Sequence, residues 1–570
     1  MPFARNLLAF ALVTATSVAT VSNTVRAQTV PADPQPICAI SANNFKAMFE
    51  NGSVSLNGVV KPANSTAPLT SDCAFFTWTE QMFLWLTSPA PARYGGGSRI
   101  MFSPSFYTVS PKNSAGARTF LPNRANGILP MAVRMTELGP HLLPALVSRS
   151  GQVIEVQPDD PRRPVPPVVR LQNGASVRLG DVKIAPGNQL QFFDTGGRQV
   201  EVRKLQAPPV RRLMVQMSDG RRVPVVSREE INRPIQARKL VLGGIPIFID
   251  PANNVIDVEP GQADGGVLLS QKGSLIYYIT LVNDVYAYHR TMKGPSVPAG
   301  TTFPTTAAQG NAVAAFAAAH GKIIVDPEAL AIEVKSSWVE ASSVPNPGDY
   351  VQATATITTY NKTSNLWTPN GQKTVKMVLV GAHVVGSTLG HGEMVWGSFE
   401  HVGNTPNTAY AYSSTSGPKN VPQNTGGTWL FTPNGSAGPF NLMNAKWETA
   451  TGKLKSTTAA PIAPTPTLRV MPWGIDGTNA SLNTEVISAN ATVISQLVAG
   501  DVRRNYFQLG TTWTIDGAAP KPDGSNEVGT NQLANTTMET FVQGVTNCFS
   551  CHHTNTVAVS HVYSDLKPLF

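Results

Sequence analysis

One short segment of the sequence has residue types and a spacing that specify a chemistry. Residues 548–552 read Cys-Phe-Ser-Cys-His, the C-x-x-C-H pattern of covalent haem attachment. Two thiols at this spacing on a helical turn can form thioether bonds with the two vinyl groups of one haem, and the adjacent imidazole can bind the iron. The sequence therefore predicts one covalent haem c, held by Cys548 and Cys551, with His552 as the proximal ligand of the iron.

Three other uses of this segment remain open. A structural zinc ion could take both cysteines and two nearby histidines, but the spacing of His552, His553 and His561 matches no common zinc finger. A thioredoxin-like dithiol would need a surrounding βαβ unit, which the sequence pattern does not indicate. The third alternative is a plain disulfide. Haem attachment is the interpretation that uses both cysteines and the adjacent histidine together.

The sequence leaves the sixth coordination position of the iron undetermined. Eighteen residues follow His552, and none of them is a methionine. We therefore expect the chain before the motif to cover the haem and to supply any sixth ligand. The candidates are one residue shortly before the motif, Met538, and four residues of a strand-rich region, His383, His391, Met394 and His401.

Charged residues near these candidates could assist a haem. The side chains that could neutralise a haem propionate are Lys335, Arg503 and Arg504. A simpler role for Lys335 is an ion pair with Glu333, two residues away on one face of a strand. Glu400 could orient the imidazole of His401, as carboxylates often do for histidine ligands, or both could be structural.

The N-terminus has the pattern of an export signal. It combines a positive Arg5, an apolar stretch from Leu7 to Val21, and small residues in Val25-Arg26-Ala27 that suit a cleavage site. We predict a signal peptide over residues 1–27, cleaved after Ala27. No other segment approaches transmembrane length, so we expect a periplasmic or secreted protein without stable membrane insertion.

Two further cysteines lie near the predicted mature N-terminus. Cys38 and Cys73 are 35 residues apart, and exported proteins meet an oxidising environment. We predict a disulfide between them, with two buried free thiols as the alternative.

The composition restricts the class of protein. Of 570 residues, 14% are charged and 93 are Gly or Pro, which disfavours a helical bundle, a coiled coil or a charged disordered chain. The formal net charge is +9, and the Lys and Arg residues are scattered rather than grouped in a run. We therefore expect no nucleic-acid partner.

The patterning predicts a strand-rich, irregular α+β fold with several helices and a C-terminal haem-bearing helix, not a small stand-alone cytochrome c. We divide the chain into an N-terminal helical and loop region (28–140), a β-rich module that is a candidate insertion (141–260), and a main α+β region (261–570) with the haem site at its end. Predicted helices lie around Phe45–Phe49 and at Asp72–Leu86, Thr305–His320 and Asn483–Val498. Predicted strands are Ser176–Ile184, Gln189–Phe193, Arg198–Leu205, Ala331–Ala341, Tyr350–Tyr360, Thr374–Gly386, Met394–His401 and, as a strand or bend, Tyr506–Trp513; residues 402–480 show little periodicity.

Three stretches of the main region resemble a known family. They are Glu333–Trp338 (EVKSSW), Trp396–Pro406 (WGSFEHVGNTP) and Leu533–Thr540, which leads into the motif. Together with the aromatic helix near Trp78–Trp85, they resemble large exported bacterial proteins of the cytochrome c family that carry one C-terminal haem motif. The resemblance spans about residues 260–553, leaves out the 150–250 region and implies a haem protein with no established reaction.

Two classes of function follow from a single haem. One is electron transfer, in which a six-coordinate haem passes one electron between a redox partner protein or a small-molecule donor or acceptor. The other is a haem-dependent oxygenase or peroxidase acting on an organic substrate at an open iron position. The sequence contains no second C-x-x-C-H, which disfavours dihaem peroxidases and multihaem conduits. We expect electron transfer, with the enzyme as the alternative.

Overall fold

The fold comes from a computed structural model of the whole chain. It describes residues 30–110, 117–125, 127–133, 145–147, 153–157, 167–185, 189–205, 213–216, 222–225, 235–242, 245–256, 266–294, 297, 301–447, 452–457, 460–475, 477–521, 524–541, 543, 548–550, 560, 562–563 and 566–570. The predicted signal peptide lies outside these residues and stays a prediction. Among the described residues, no helix has the length and hydropathy needed to cross a bilayer.

The described α-helices each begin after a side chain that caps the first turn. They are α1 (Ala42–Met48), α2 (Asp72–Leu86), α3 (Asp284–Met292), α4 (Ala307–Ala319) and α5 (Ala480–Gln496). Their caps are Ser41, Ser71, Asn283, Thr306 and Asn479, whose side-chain oxygens accept backbone N–H groups. The described 3-10 helices are Ala92–Tyr94, Ile100–Phe102, Pro327–Ala329, Ala341–Ser343, Pro347–Asp349, Val502–Asn505, Ile515–Gly517 and Cys548–Ser550. The predicted helices are thus confirmed, with shifts of a few residues at their ends.

The described strands are numbered in chain order. The first are β1 (Phe106–Val109), β2 (Phe120–Pro122) and β3 (Leu129–Pro130). The next are β4 (Ala145–Val147), β5 (Val153–Gln157), β6 (Val168–Arg170), β7 (Ser176–Ala185), β8 (Gln189–Asp194), β9 (Gln199–Val200), β10 (Lys204–Leu205), β11 (Leu213–Gln216), β12 (Arg222–Val225), β13 (Ile235–Leu242), β14 (Ile245–Ile249) and β15 (Val255–Ile256). The last are β16 (Gly266–Val267), β17 (Tyr277–Asn283), β18 (Ile332–Glu340), β19 (Gln352–Lys362), β20 (Leu366–Thr388), β21 (His391–His401), β22 (Tyr410–Ser414), β23 (Gly417–Val421), β24 (Ala445–Trp447), β25 (Leu454–Ser456), β26 (Tyr506–Thr514) and β27 (Glu527–Gly529).

A 13-stranded sheet organises the main region. Its longest path runs β16-β24-β25-β20-β18-β17-β1-β2, with β19 and β21 also paired to β20, β26 to β21, β27 to β26, and β3 to β19. The pairs among β17, β18, β20, β21 and β26 are all antiparallel. The predicted strand-rich α+β class is therefore confirmed.

Strand β20 is longer than the predicted Thr374–Gly386. The sequence Pro369-Asn370-Gly371 favours a turn, but β20 stays paired to β19 through it. The pairing shifts register between Thr359 and Tyr360, so that Asn370 is left without a register partner in β19. Gly371 takes a φ of +146°, which favours glycine. One further expectation was wrong, because the Arg198–Leu205 run forms two separate two-residue strands rather than one. The 402–480 region, whose sequence shows little periodicity, contains the β22–β23 and β24–β25 pairs.

Helix α2 covers one face of the sheet. Phe83 stacks on Phe399 of β21 with ring centroids 4.1 Å apart, and Phe75 stacks on Trp513 of β26 at 3.9 Å. The approach is close because β21 carries Gly397 at this point, where a Cβ would overlap with Thr79 of the helix. The opposite face of β18, β20 and β21 is left for the C-terminal segment.

Buried Glu80 of α2 should make the stability of the fold depend on pH. Its Oε1 has no hydrogen-bond partner within the described chain, and burial raises its pKa from 4.5 to about 8. The folded state keeps this proton between those pH values while the unfolded chain releases it. The free energy of unfolding should then fall by up to about 1.4 kcal/mol per pH unit in this window.

Glu80→Gln should remove this dependence. Relative to the parent protein, the variant should gain about 3–4 kcal/mol in free energy of unfolding between pH 5 and pH 8, measured by denaturant titration. The exposed Glu328→Gln serves as the matched control and should show no such gain. A Glu80→Gln difference that is constant with pH would contradict the assignment of a buried, protonated carboxyl.

The predicted disulfide between Cys38 and Cys73 is confirmed. It joins the chain before α1 to the first turn of α2. Closing a loop of this size stabilises a fold by roughly 3–4 kcal/mol in the chain-entropy picture. We predict that the double variant Cys38→Ser/Cys73→Ser loses about 3 kcal/mol in urea unfolding. Dithiothreitol should lower the stability of the parent protein similarly and leave the variant unchanged; equal stability with and without the bridge would contradict this.

The β-rich module has its own hydrogen-bonded ladders. Within the described residues, β4 to β15 pair only with one another, in a six-stranded sheet, a four-stranded sheet and one two-stranded pair. Val169 and Val182 of the four-stranded sheet pack against Ile247 and Val255 of the six-stranded sheet in one buried cluster. The predicted boundaries at 141 and 260 lie outside the described residues and stay predictions.

Candidate functional site

The structure describes only the first part of the haem motif. Cys548 begins a 3-10 turn and is half-buried, and Phe549 is fully buried. Cys551 and His552 lie outside the described residues, as do His553 and His561 of the zinc alternative. Haem attachment by the two cysteines and iron binding by His552 therefore stay predictions. The structure does show what surrounds Cys548 and Phe549.

A buried carboxyl group holds the start of this turn. Glu527, on the edge strand β27, accepts hydrogen bonds from the backbone N–H groups of Cys548 and Phe549 and from the Cys548 side chain. It also accepts one from the Thr512 hydroxyl at 3.0 Å. Burial raises the pKa of Glu527 to about 8, and these hydrogen bonds oppose that rise. Glu527 thus fixes the first cysteine on the sheet edge, and no motif in the sequence pointed to it.

Phe549 belongs to a buried hydrophobic cluster, here called the motif cluster. Cys548 packs against it from the outside. Its other members include Phe303, Val385, Met394, Trp396, Leu533 and Tyr563. Two of these, Met394 and Trp396, come from β21, so the motif lies against the face of the sheet that α2 does not cover.

The segment just before the motif is fixed to that same face by hydrogen bonds, here called the clamp. The Ser337 and Thr537 hydroxyls are 2.6 Å apart, and the Thr536 N–H donates to Glu400 at 2.6 Å. The remaining clamp contacts are Asn535 Nδ2 to the Phe399 carbonyl at 2.8 Å, the Tyr278 hydroxyl to the Thr537 carbonyl at 2.5 Å, and His383 Nε2 with Glu539 Oε1 at 3.1 Å. The three stretches that carry the family resemblance therefore meet here.

The clamp segment itself is a turn within the described residues. The N–H groups of Met538 and Glu539 both donate to the Asn535 carbonyl. The described part of the predicted C-terminal haem-bearing helix is therefore this turn and the 3-10 turn at Cys548, not a continuous helix. Asn535 and Thr537 hydrogen-bond to one another locally, which competes with a regular helix.

Glu400 has a different role from the one the sequence suggested. Its carboxylate lies 2.6 Å from Arg469 Nη2 in an ion pair whose two side chains are both fully buried. It also accepts from Asn404 Nδ2 at 3.2 Å, in addition to the Thr536 N–H. Because neighbouring residues of a strand point to opposite faces, Glu400 does not orient His401. Glu400 instead anchors the clamp.

The five candidate sixth ligands do not form one cluster. His391 and His401 are the two ends of β21, ten residues and about 33 Å apart along the strand. His391 pairs with Glu393 at 2.8 Å, and Met538 packs in a separate cluster with Tyr278 and Phe431. Candidates that lie close together in the sequence are therefore separated in space, because each residue of a strand adds about 3.3 Å along it.

His401 is occupied by packing contacts. Its ring stacks on Tyr350 with centroids 3.7 Å apart, and its edge meets Tyr506 at 5.2 Å. Its Nδ1 accepts the backbone N–H of Gly403 at 3.0 Å. These contacts indicate a structural histidine.

His383 has the arrangement that a ligand histidine needs. It is 4% exposed, its Nε2 is held by Glu539, and its Nδ1 has no hydrogen-bond partner in the described part of the chain. Lys335 lies directly opposite on β18. Burial raises the pKa of Glu539, but the nearby His383 and Lys335 outweigh it and hold that pKa below its usual value. Glu539 was not singled out from the sequence, although it precedes the motif in a polar segment.

The structure separates the charged residues suggested for a haem propionate. Arg503 is buried beneath α2, where Asp501 binds its guanidinium at 2.6 Å and the Gly58 carbonyl accepts at 3.0 Å. It therefore does not reach the motif side of the sheet. Glu333 accepts a hydrogen bond from Ser560 at 2.7 Å rather than pairing with Lys335. Lys335 remains the cation beside the clamp.

The comparisons add no further information about the site. No known protein family, curated protein or solved structure matches this chain. In the described ranges, no three His, Cys, Asp or Glu side chains come together as a metal site.

Proposed function

We propose that the protein is an exported c-type cytochrome that binds one covalent haem and takes part in one-electron transfer. The observation that carries the proposal is the Cys-Phe-Ser-Cys-His motif at 548–552, a complete donor set of two thiols and an imidazole. When bound, the haem would supply a reversible one-electron couple. A partner protein or a small molecule would give or accept the electron.

The residues around the motif fit such a group. Glu527 holds the backbone at Cys548, and the motif cluster supplies buried apolar and aromatic side chains such as Trp396. A buried ring nitrogen without a partner, as in His383, is costly unless another group satisfies it. An iron ligated by Nδ1 would do so, and Glu539 would hold the other nitrogen as carboxylates do for metal-bound histidines.

We therefore favour His383 as the sixth ligand, ahead of Met394. Met394 is fully buried in the motif cluster, but its thioether needs no partner. Lys335, opposite His383 on the neighbouring strand, would supply the positive charge for a propionate. The protein would then exclude water from the haem, orient the imidazoles of His552 and His383, and balance the charge of a propionate.

The test is an absorption spectrum of the exported protein, oxidised and reduced, before and after carbon monoxide is added. Covalent, low-spin haem that does not respond to carbon monoxide is the expected result, because His552 and His383 would both bind the iron. High-spin haem that binds carbon monoxide would favour the oxygenase or peroxidase instead. A protein purified from a host with haem-attachment machinery but containing no haem would overturn both.

The sixth ligand can be tested by His383→Gln, which keeps a donor for Glu539 but removes the imidazole. We expect the reduced spectrum to change from low-spin to high-spin and carbon monoxide to bind. His401→Gln is the matched control, since His401 packs on Tyr350 and Tyr506 and is not part of the motif cluster, and its spectrum should be unchanged. An unaltered low-spin spectrum in His383→Gln would exclude His383 and direct attention to Met394.

A further inference from the structure

A surface cleft of about 400 Å³ lies between the end of α3 and the start of α4. Phe303, Pro304 and Val313 give it an apolar wall. His289 and Lys293 lie at its polar side. The cleft therefore has one apolar and one cationic side.

His289 presents an unused hydrogen-bond donor in this cleft. The residue is 5% exposed, and its Nδ1 lies 2.9 Å from the Tyr563 hydroxyl. In the part of the chain that is described, this hydroxyl has no other acceptor, so it donates to Nδ1 and the ring proton resides on Nε2. Nε2 makes no hydrogen bond with any described residue. A ring N–H that no described residue uses can donate to a ligand bound in the cleft.

The charge around His289 specifies the sign of that ligand. Burial, Lys293 and Arg290 lower the pKa of His289 to about 3, so the imidazole is neutral at physiological pH and sits in a positive environment. Residues 291–306 contain no Asp or Glu, and the described residues that line the cleft include none. An anion is the ligand that this environment favours.

The apolar side of the cleft leads to the motif cluster. The Phe303 N–H donates to the Gly392 carbonyl of β21 at 3.1 Å, and the Phe303 ring meets Tyr563 with centroids 4.8 Å apart. Phe303 belongs to the same cluster as Phe549 of the motif. A bound apolar group would therefore extend the packing of that cluster toward the surface.

We propose that this cleft binds a small organic carboxylate with an aromatic or similarly apolar body. The carboxylate would lie between the Lys293 ammonium and the Nε2–H of His289, and the apolar body would pack on Phe303. This binding does not depend on the haem, so it can be tested independently of the proposed function.

The test is calorimetric titration of the full-length mature protein with benzoate as the probe, with benzyl alcohol as its neutral analogue. Benzoate should bind, and benzyl alcohol should bind at least about tenfold more weakly because it lacks the charge. Lys293→Gln should weaken benzoate by about tenfold or more; Lys293 is exposed, so the fold should not suffer. The exposed Lys272→Gln is the matched control and should bind as the parent protein does.

Three results would overturn the proposal. They are no heat of binding with benzoate at millimolar concentration, equal affinity for benzoate and benzyl alcohol, and unchanged affinity in Lys293→Gln. Because the readout is a binding heat and not a haem spectrum, none of them bears on haem attachment.

Discussion

The double variant Cys548→Ser/Cys551→Ser is expected to retain less than about one tenth of the covalent haem of the parent protein. A thioether bond needs a thiol, and serine cannot form one with a vinyl group. Haem staining after denaturing electrophoresis measures the covalent fraction directly. His552→Ala should keep some attached haem but with an altered axial ligand and an altered spectrum.

The matched control for this experiment is Cys38→Ser/Cys73→Ser. It also removes two cysteines, but these form the disulfide near α1 and lie apart from the motif. Its haem content should match that of the parent protein. Covalent haem in the Cys548→Ser/Cys551→Ser protein would refute the attachment site, and an unchanged spectrum in His552→Ala would refute the proximal ligand.

Arg469→Met is expected to lower the free energy of unfolding by about 3–5 kcal/mol, the usual range when one partner of a buried ion pair is removed. The substitution leaves the Glu400 carboxylate charged in a site with no water contact. Arg469 also donates to Asn407 and lies over the Phe507 ring, with 4.8 Å from its guanidinium carbon to the ring centroid. Denaturant unfolding followed by tryptophan fluorescence measures the loss.

A double-mutant cycle separates the pair from its surroundings. Glu400→Gln/Arg469→Met removes both charges, so it should be more stable than Arg469→Met alone, because no unpaired charge remains. Arg198→Met is the exposed control: its ion pair with Asp194 lies at the surface, and its loss should cost less than about 1 kcal/mol. Equal losses for Arg469→Met and Arg198→Met would show that burial does not strengthen the Glu400 pair.

The sequence predicted best those elements whose signals are local. Helix α2 was found with its bounds because an apolar run lies between Asp72 and Pro89, although the capping residue is Ser71 and not Asp72 as the sequence suggested. Strands β18 and β21 were recognised from their apolar patterns. The continuation of β20 through Pro369-Asn370-Gly371 was missed, because its partner strand β19 compensates with a shifted register that no local pattern reveals.

The site was less predictable because it depends on which face of each strand points to the motif. From the sequence, His383 and His401 were equally good candidates for the sixth ligand because both are histidines. In the fold, His383 lies beside Glu539, whereas His401 stacks on Tyr350. Glu527 carried no sequence signal, since its role arises only when β27 pairs with β26. The haem-attachment prediction rests on five consecutive residues, of which Cys551 and His552 lie outside the described residues, and it stays a prediction.

The order of strands in the main sheet also sets an order of folding. The hairpins β7–β8, β13–β14 and β1–β2 close short loops, whereas the pairing of β1 with β17 must wait for a strand that follows the whole module. Contacts between distant parts of a chain carry a larger loop-closure cost and form later. Pulse-labelled hydrogen exchange should therefore find the hairpin amides of β13 protected before the amides that join β1 to β17.

The C-terminal segment stands last in this order, because Thr536 can dock only on a sheet that already contains Glu400 of β21 and its partner β26. In the cytochrome proposed above, the thiols of residues 548 and 551 should therefore remain accessible to an attachment enzyme while the rest of the chain folds. Late docking of this segment would then bury the haem after it has been attached.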